Sequence, residues 1–155
     1  MLKIKIVAVG NIKEDYFVDA AKEYCKRLSK FCEIEVVEVK EFAGQSKSSV
    51  AQVMEYECEG IKKFLAGYVV ALDKSGKQLD SEDFAKLIDK VGVGGQSKLT
   101  FVIGGSHGLT DEIKNLANMV MSFGKLTYPH QLMRVVLLEQ IYRAETILNN
   151  ITYHK

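Results

Sequence analysis

Three apolar runs in this chain of 155 residues end in loops whose composition suits a small ligand. Leu72-Asp73-Lys74-Ser75-Gly76 closes the first, and Gly104-Gly105-Ser106-His107-Gly108-Leu109 closes the second. Gly124-Lys125-Leu126-Thr127-Tyr128-Pro129-His130 closes the third. In open α/β sheets, ligands sit beyond the carboxyl ends of the strands. Three loops gathered there could wrap one ligand with backbone N–H and C=O groups, and glycines permit close approach or positive φ. The same glycines would equally serve a tight strand-to-helix turn. A dinucleotide site fits less well. GGxxG is not GxGxxG, it lies late in the chain, and no acidic residue marks a strand end about 20 residues further on.

Pro129, the only proline, suits the first turn of a helix and biases Tyr128 toward an extended conformation. Thr127 to His130 is therefore expected to form a rigid corner, with His130 at the site, capping the helix, or in solvent. Beyond it, apolar residues from Leu132 to Leu148 nearly encircle the last helix. One sheet-facing stripe needs only about 100°. The surplus asks for a second partner, most simply another copy of the chain. Glu139 and Arg143, at i and i+4, can form a surface pair. The tail ends in Tyr153-His154-Lys155. A frayed terminus is the default reading. The functional alternative has Tyr153 stacked on a base while His154 and Lys155 meet phosphate or base edges.

The elements that must position these groups alternate between strand and helix. Lys3 to Val9 reads as a strand, 14–30 as a helix with Phe17, Ala20, Ala21, Tyr24 and Leu28 at helical spacing, and Ile34 to Val39 as a second strand. Gly44 to Ser49 is a polar loop in which Ser46 or Ser48 caps a helix that runs to about Leu65 and ends at Gly67. Tyr68 to Leu72 and Leu99 to Ile103 read as buried strands. Asp80 or Ser81 caps the helix between them, and Gly92 to Ser97 is a flexible link. Thr110 caps a short helix, Met119 to Phe123 is the last strand, and the last helix reaches about Asn149. Such alternation gives a mostly parallel sheet covered on both faces. No repeat or linker divides residues 1–155.

Composition narrows the classes. Apolar residues make up 47% and charged residues 26%, an ordinary globular mix. No apolar run is long enough to span a bilayer, and the N-terminus lacks the layout of a signal peptide, so a cytoplasmic protein without membrane partners is expected. Cys25, Cys32 and Cys58 show neither CxxC pairing nor histidines at zinc spacing, which favours reduced thiols over a metal site. A net charge of +1 neither requires nor excludes a basic patch for nucleic acid.

Four segments carry a resemblance. They are Phe101 to Leu109, Ser122 to Arg134, Leu138-Glu139-Gln140-Ile141-Tyr142-Arg143-Ala144, and Tyr153-His154-Lys155. Together with the overall length, the opening strand and the Leu72 to Gly76 turn, they resemble the ribosomal large-subunit methyltransferase H family of the SPOUT class. The resemblance implies a C-terminal trefoil knot, a homodimer, S-adenosylmethionine held in the knot, and methylation of ring N3 of a pseudouridine in large-subunit ribosomal RNA. Carried over by position, the cofactor contacts are Leu72, Gly104, Phe123, Gly124, Lys125, Leu126, Thr127 and Tyr128.

In such a reaction a base nitrogen displaces the methyl group from a sulfonium, and no metal is needed. The protein aligns donor and acceptor and helps an imide N–H lose its proton. His130, Tyr153 and His154 are the candidate groups for that proton, with Asp73 a poorer one, and Arg134 could stabilise charge developing on the base carbonyls. One rival is a methyltransferase of the same fold acting on transfer RNA or another ribosomal position. A rival of another class is an RNA-binding or assembly factor with a vestigial cofactor pocket.

Overall fold

A computed structural model describes residues 1–42 and 48–155. Its strands are β1 (Lys3–Val9), β2 (Glu33–Val39), β3 (Tyr68–Gln78), β4 (Lys98–Ile103) and β5 (Met119–Ser122). Its helices are α1 (Asp15–Leu28), α2 (Val50–Lys62), α3 (Ser81–Val93), α4 (Asp111–Leu116) and α5 (His130–Leu148). The strands pair in the order β2-β1-β4-β3-β5, all parallel.

Strand alternation sorts the core into two layers. Ile4, Ile6 and Phe101 face α1, α3 and α5 together with Leu28, Ile88 and Leu137. Val7, Val9 and Val102 face α2 and α4 together with Ile61 and Ile113. The parallel sheet covered on both faces is therefore observed. Among the described residues, no helix is long and apolar enough to cross a membrane.

Several local expectations are corrected. The cap of α2 is Ser49, whose hydroxyl accepts from the Gln52 N–H at 3.2 Å while Gln52 Oε1 accepts from the Ser49 N–H at 3.0 Å. This reciprocal pair outcompetes Ser48, and Ser46 lies outside the described residues. Helix α2 ends at Lys62, before Gly67, and α3 runs through Gly92 to Val93, into the stretch expected to be a link. Asp80, not Ser81, caps α3. Strand β3 runs past the expected turn: Leu72 and Lys77 both sit opposite Met121, so 73–76 bulge out of the ladder.

The surplus apolar surface of α5 also has a nearer explanation. Helix α5 packs between α1 and α3 on the sheet, and Leu137, Leu138, Ile141 and Ala144 are fully buried. A helix flanked by two helices and a sheet needs a wide apolar arc without a second chain.

Candidate active site

The three strand-end loops meet at the carboxyl edge of the sheet. They line a cleft of about 1010 Å³ that includes Leu72, Gly104, Phe123, Gly124, Leu126, Thr127, Tyr128 and His130. This volume lies at the upper end of the range for small-molecule sites, about 300–1,000 Å³. Leu72, Ile103, Phe123 and Met133 supply apolar wall, and the glycine loop supplies backbone polar groups.

The geometry of each loop follows from its residues. In the glycine loop, Gly108 N–H donates to Gly105 O at 3.0 Å, which folds 105–108 into a tight turn. A Cβ on Gly104 would lie 2.8 Å from the Gly108 backbone carbon and oxygen, so only glycine fits there. In the third loop, Ser122 Oγ accepts from Gly124 N–H at 3.0 Å and donates to Gly124 O at 3.2 Å. Lys74 in the β3 bulge donates to the Thr127 hydroxyl, tying the first loop to the third.

Not every expected residue joins the cleft. Lys125 is exposed and does not line it. Arg134 is 2% exposed and sits behind the cleft. Its guanidinium donates to Glu38 Oε2 at 2.7 Å and to Gly10 O at 2.9 Å, pinning the ends of β1 and β2. Tyr153 and His154 lie on the far half of α5, where Tyr153 donates to Glu139 Oε1 at 3.0 Å. Burial and that bond push the Tyr153 phenol up to about 12, which favours a proton-holding donor over a base. At Asp73, burial alone would raise the carboxyl. Hydrogen bonds from Ser75 and the charge of Lys114 outweigh it and hold the group below the usual carboxylate range, so Asp73 is a weak base.

Sequence reasoning missed one wall. Glu14, Tyr16 and Phe17, at the start of α1, also line the cleft. Lys13 N–H donates to Gln131 Oε1 at 3.0 Å and joins that wall to the start of α5. The signal available was Tyr16, an aromatic outside the apolar stripe of α1; it is 65% exposed.

Glu57 of α2 was missed as well. Its side chain is buried against the glycine loop, 2.9 Å from where a Gly105 Cβ would stand, and its Oε1 has no hydrogen-bond partner among the described residues. Burial pushes its carboxyl up, Glu41 adds to the shift, and His107 opposes it. A carboxyl raised in the folded state contributes full stability below its unfolded pKa, and that contribution is lost as pH rises through the folded value. Relative to Glu57→Gln, the wild-type protein is therefore expected to lose melting temperature as pH climbs through and above the ordinary carboxylate range, about pH 4 upward. Paired thermal melts followed by circular dichroism check this, and parallel curves would contradict it.

Cys25, Cys32 and Cys58 are all free thiols. Burial, with smaller contributions from Glu145 and Cys25, pushes Cys32 up to about 12. Cys58 and Glu59 of α2 converge with Glu112 of α4, and the Lys62 ammonium already bridges Glu59 at 2.6 Å and Glu112 at 2.9 Å.

With this geometry in view, comparisons with known proteins are specific. A family described as predicted SPOUT methyltransferase matches residues 2–154. Ribosomal RNA large subunit methyltransferase H of Streptococcus equi subsp. zooepidemicus is 50% identical, over 99% of this chain and 100% of its own length. The protein of that name from Caldicellulosiruptor saccharolyticus is 49% identical, over 98% of this chain and 99% of its own. Among solved structures, a probable methyltransferase from Bordetella pertussis aligns with a TM-score of 0.58 at 12% identity, over 93% of this chain and 95% of that one. A putative methyltransferase from Legionella pneumophila, solved with bound SAM, aligns at 0.51 and 12% identity, over 92% of this chain and 66% of that one. The structural likenesses speak to the fold, and the sequence matches to kinship: the chain belongs to the SPOUT methyltransferases, in the family of ribosomal RNA large subunit methyltransferase H.

Proposed function

We propose that this protein is an S-adenosylmethionine-dependent methyltransferase that methylates ring N3 of a pseudouridine in large-subunit ribosomal RNA. It acts as a homodimer on the assembled ribosome in the cytoplasm. The observation that carries the reading is the single cleft built by three strand-end loops in a chain of this family. A C-terminal trefoil knot belongs to the same reading, supported by family membership and by α5 returning from edge strand β5 to lie between α1 and α3.

The cleft suits the cofactor. Leu72 and Phe123 offer apolar surface for a nucleoside, and the backbone of 104–108 and 123–128 offers donors and acceptors. Gly104 marks where the chain leaves no room for a side chain. When bound, S-adenosylmethionine supplies an electrophilic methyl on a sulfonium; its transfer to N3 leaves a neutral thioether and releases the N3 proton. The residues of the chain then have two tasks, alignment and support of charge on the imide. Tyr16 and Tyr128 at the mouth are exposed aromatics against which a base can stack. His130 lines the cleft at the start of α5 and is the candidate nearest the cofactor loops. Arg134 contributes by holding the ends of β1 and β2 behind the cleft, as a positioning residue.

The dimer is supported by the placement of the tail. Tyr153 and His154 are fastened to Glu139 and Arg143. At 1.5 Å per residue, Arg143 lies roughly 20 Å along α5 from His130. A tail so held is remote from its own cleft, and a second copy's tail is the simpler supply.

The reading is tested by incubating the protein with methyl-labelled cofactor and free large-subunit RNA, 50S subunits or 70S ribosomes, then mapping the label. Label on N3 of a pseudouridine in 70S particles is expected. Label confined to transfer RNA, to ribose or to another base would contradict the substrate. Cofactor binding without transfer to any of them would favour the assembly-factor rival.

A further inference from the structure

The tail is folded, not frayed. Asn150 takes a φ of 54°, and Ile151 N–H returns to Thr146 O at 2.9 Å, turning the last residues back onto α5. Tyr153 stands edge-on to Tyr142, with ring centres 4.9 Å apart. Arg143 donates to Glu139 Oε1 at 2.6 Å, and its guanidinium carbon lies 4.9 Å from the centre of the Tyr153 ring. The same guanidinium places Nη1 3.2 Å from Nδ1 of His154.

That last contact fixes a proton. A guanidinium has only donors and stays charged. The ring nitrogen facing it must present a lone pair. In a neutral imidazole one nitrogen accepts and the other carries the hydrogen. In a neutral His154 this contact calls for the hydrogen on Nε2. Nε2 lies 4.0 Å from Glu82 Oε1 of α3, beyond hydrogen-bond reach, on a side chain 28% exposed. It is a donor with no acceptor in hydrogen-bond range among the described residues.

We propose that Arg143 is a positioning residue that holds His154 as the Nε2–H tautomer, so that His154 donates a hydrogen bond to a carbonyl oxygen of the acceptor base and does not remove the N3 proton. An imide nitrogen that loses its proton spreads negative charge onto its two flanking carbonyls. A donor aimed at one of them stabilises that charge where it develops. The N3 proton then leaves to water or to a group at the cleft. Glu139 completes the arrangement by accepting from both Arg143 and Tyr153 and so fixing the guanidinium. The inference rests on the tail contacting substrate in a pseudouridine methyltransferase; the tautomer does not depend on that reading.

Two measurements test it separately. Long-range proton–nitrogen correlation spectra of histidine-labelled protein, at about pH 9 where an ordinary imidazole is neutral, read the tautomer directly. Wild type and Arg143→Lys are expected to show the proton on Nε2, and Arg143→Met, which keeps a stem but has no donor, a mixture. A wild-type proton on Nδ1, or an unchanged tautomer in Arg143→Met, would overturn the inference and leave the proposed function standing. In methyl transfer, His154→Ala is expected to lower kcat about 100-fold, the usual loss for a donor at a developing oxyanion. His154→Gln keeps an N–H donor but cannot serve as a base, and is expected to retain most of that factor with cofactor affinity unchanged. Equal loss in the two variants would make His154 a base and overturn the assignment. Full activity in both would overturn it together with the reading of the tail.

Discussion

Gly104→Val is expected to abolish S-adenosylmethionine binding while the protein stays folded. The cause is internal to the loop. A Cβ at this position meets the Gly108 carbonyl carbon and oxygen at 2.8 Å and Leu109 Cδ2 at 3.1 Å. Leucine can turn aside, but the backbone of Gly108 is held by its bond to Gly105 and by a φ of +81°. Valine adds two methyl groups beyond that Cβ, so the turn must open and its backbone groups leave the cleft. Overpacking of this kind costs about 1–3 kcal/mol. For a domain of this size that lowers the melting temperature by about 2–4 °C per kcal/mol. An affinity loss of 100-fold or more, about 2.7 kcal/mol, is expected. Calorimetric titration and a thermal melt read the two effects apart. Unchanged affinity in a folded variant would remove the glycine loop from the site.

Deleting Tyr153 to Lys155 is expected to do the opposite: cofactor affinity is retained and methylation collapses. None of the three residues lines the cleft, and their contacts are with Tyr142, Arg143 and Glu139 on α5 and with Glu82 on α3. The loops of its own chain that would hold the cofactor are therefore unaltered. What disappears is the aromatic ring of Tyr153, worth roughly 1–3 kcal/mol if it stacks on a base, and the Nε2 donor of His154. The terminal lysine adds phosphate attraction, so its loss is also expected to flatten the dependence of activity on salt. Calorimetry with the cofactor and transfer assays on ribosomes check both halves. A deletion variant with wild-type activity would show that the folded tail serves only its own chain.

Much of the site is legible in the sequence, and the reason is local. Leu72, Gly104 and the 123–128 run each end an apolar strand, and parallel strands place their carboxyl ends together. The parts that are not legible depend on distant partners. Nothing near Arg134 indicates that Glu38, 96 residues earlier, pairs with it, so an arginine beside a binding loop reads as a substrate contact when it is buried behind the cleft. Spacing cannot reveal that the start of α1 walls the cleft, because which helix end lies over the sheet edge is decided by topology. The encircling apolar surface of α5 reads as a dimer face for a related reason: periodicity counts apolar positions and cannot say that α1 and α3 flank them. The knot becomes legible only through the family, since general rules of chain topology make knots nearly absent.

A site assembled from the cleft of one chain and the tail of another requires that two inactive variants complement each other when mixed. Gly104→Val and the Tyr153–Lys155 deletion are each expected to be inactive alone. In a mixed dimer, the intact glycine loop of the deletion chain meets the intact tail of the Gly104→Val chain, which makes at most one complete site. Methyl transfer to ribosomes should therefore recover on mixing, in proportion to the mixed dimers seen by native mass measurement. Mixed dimers that form and remain inactive would rule out the shared site, because pocket and tail would then have to come from the same chain.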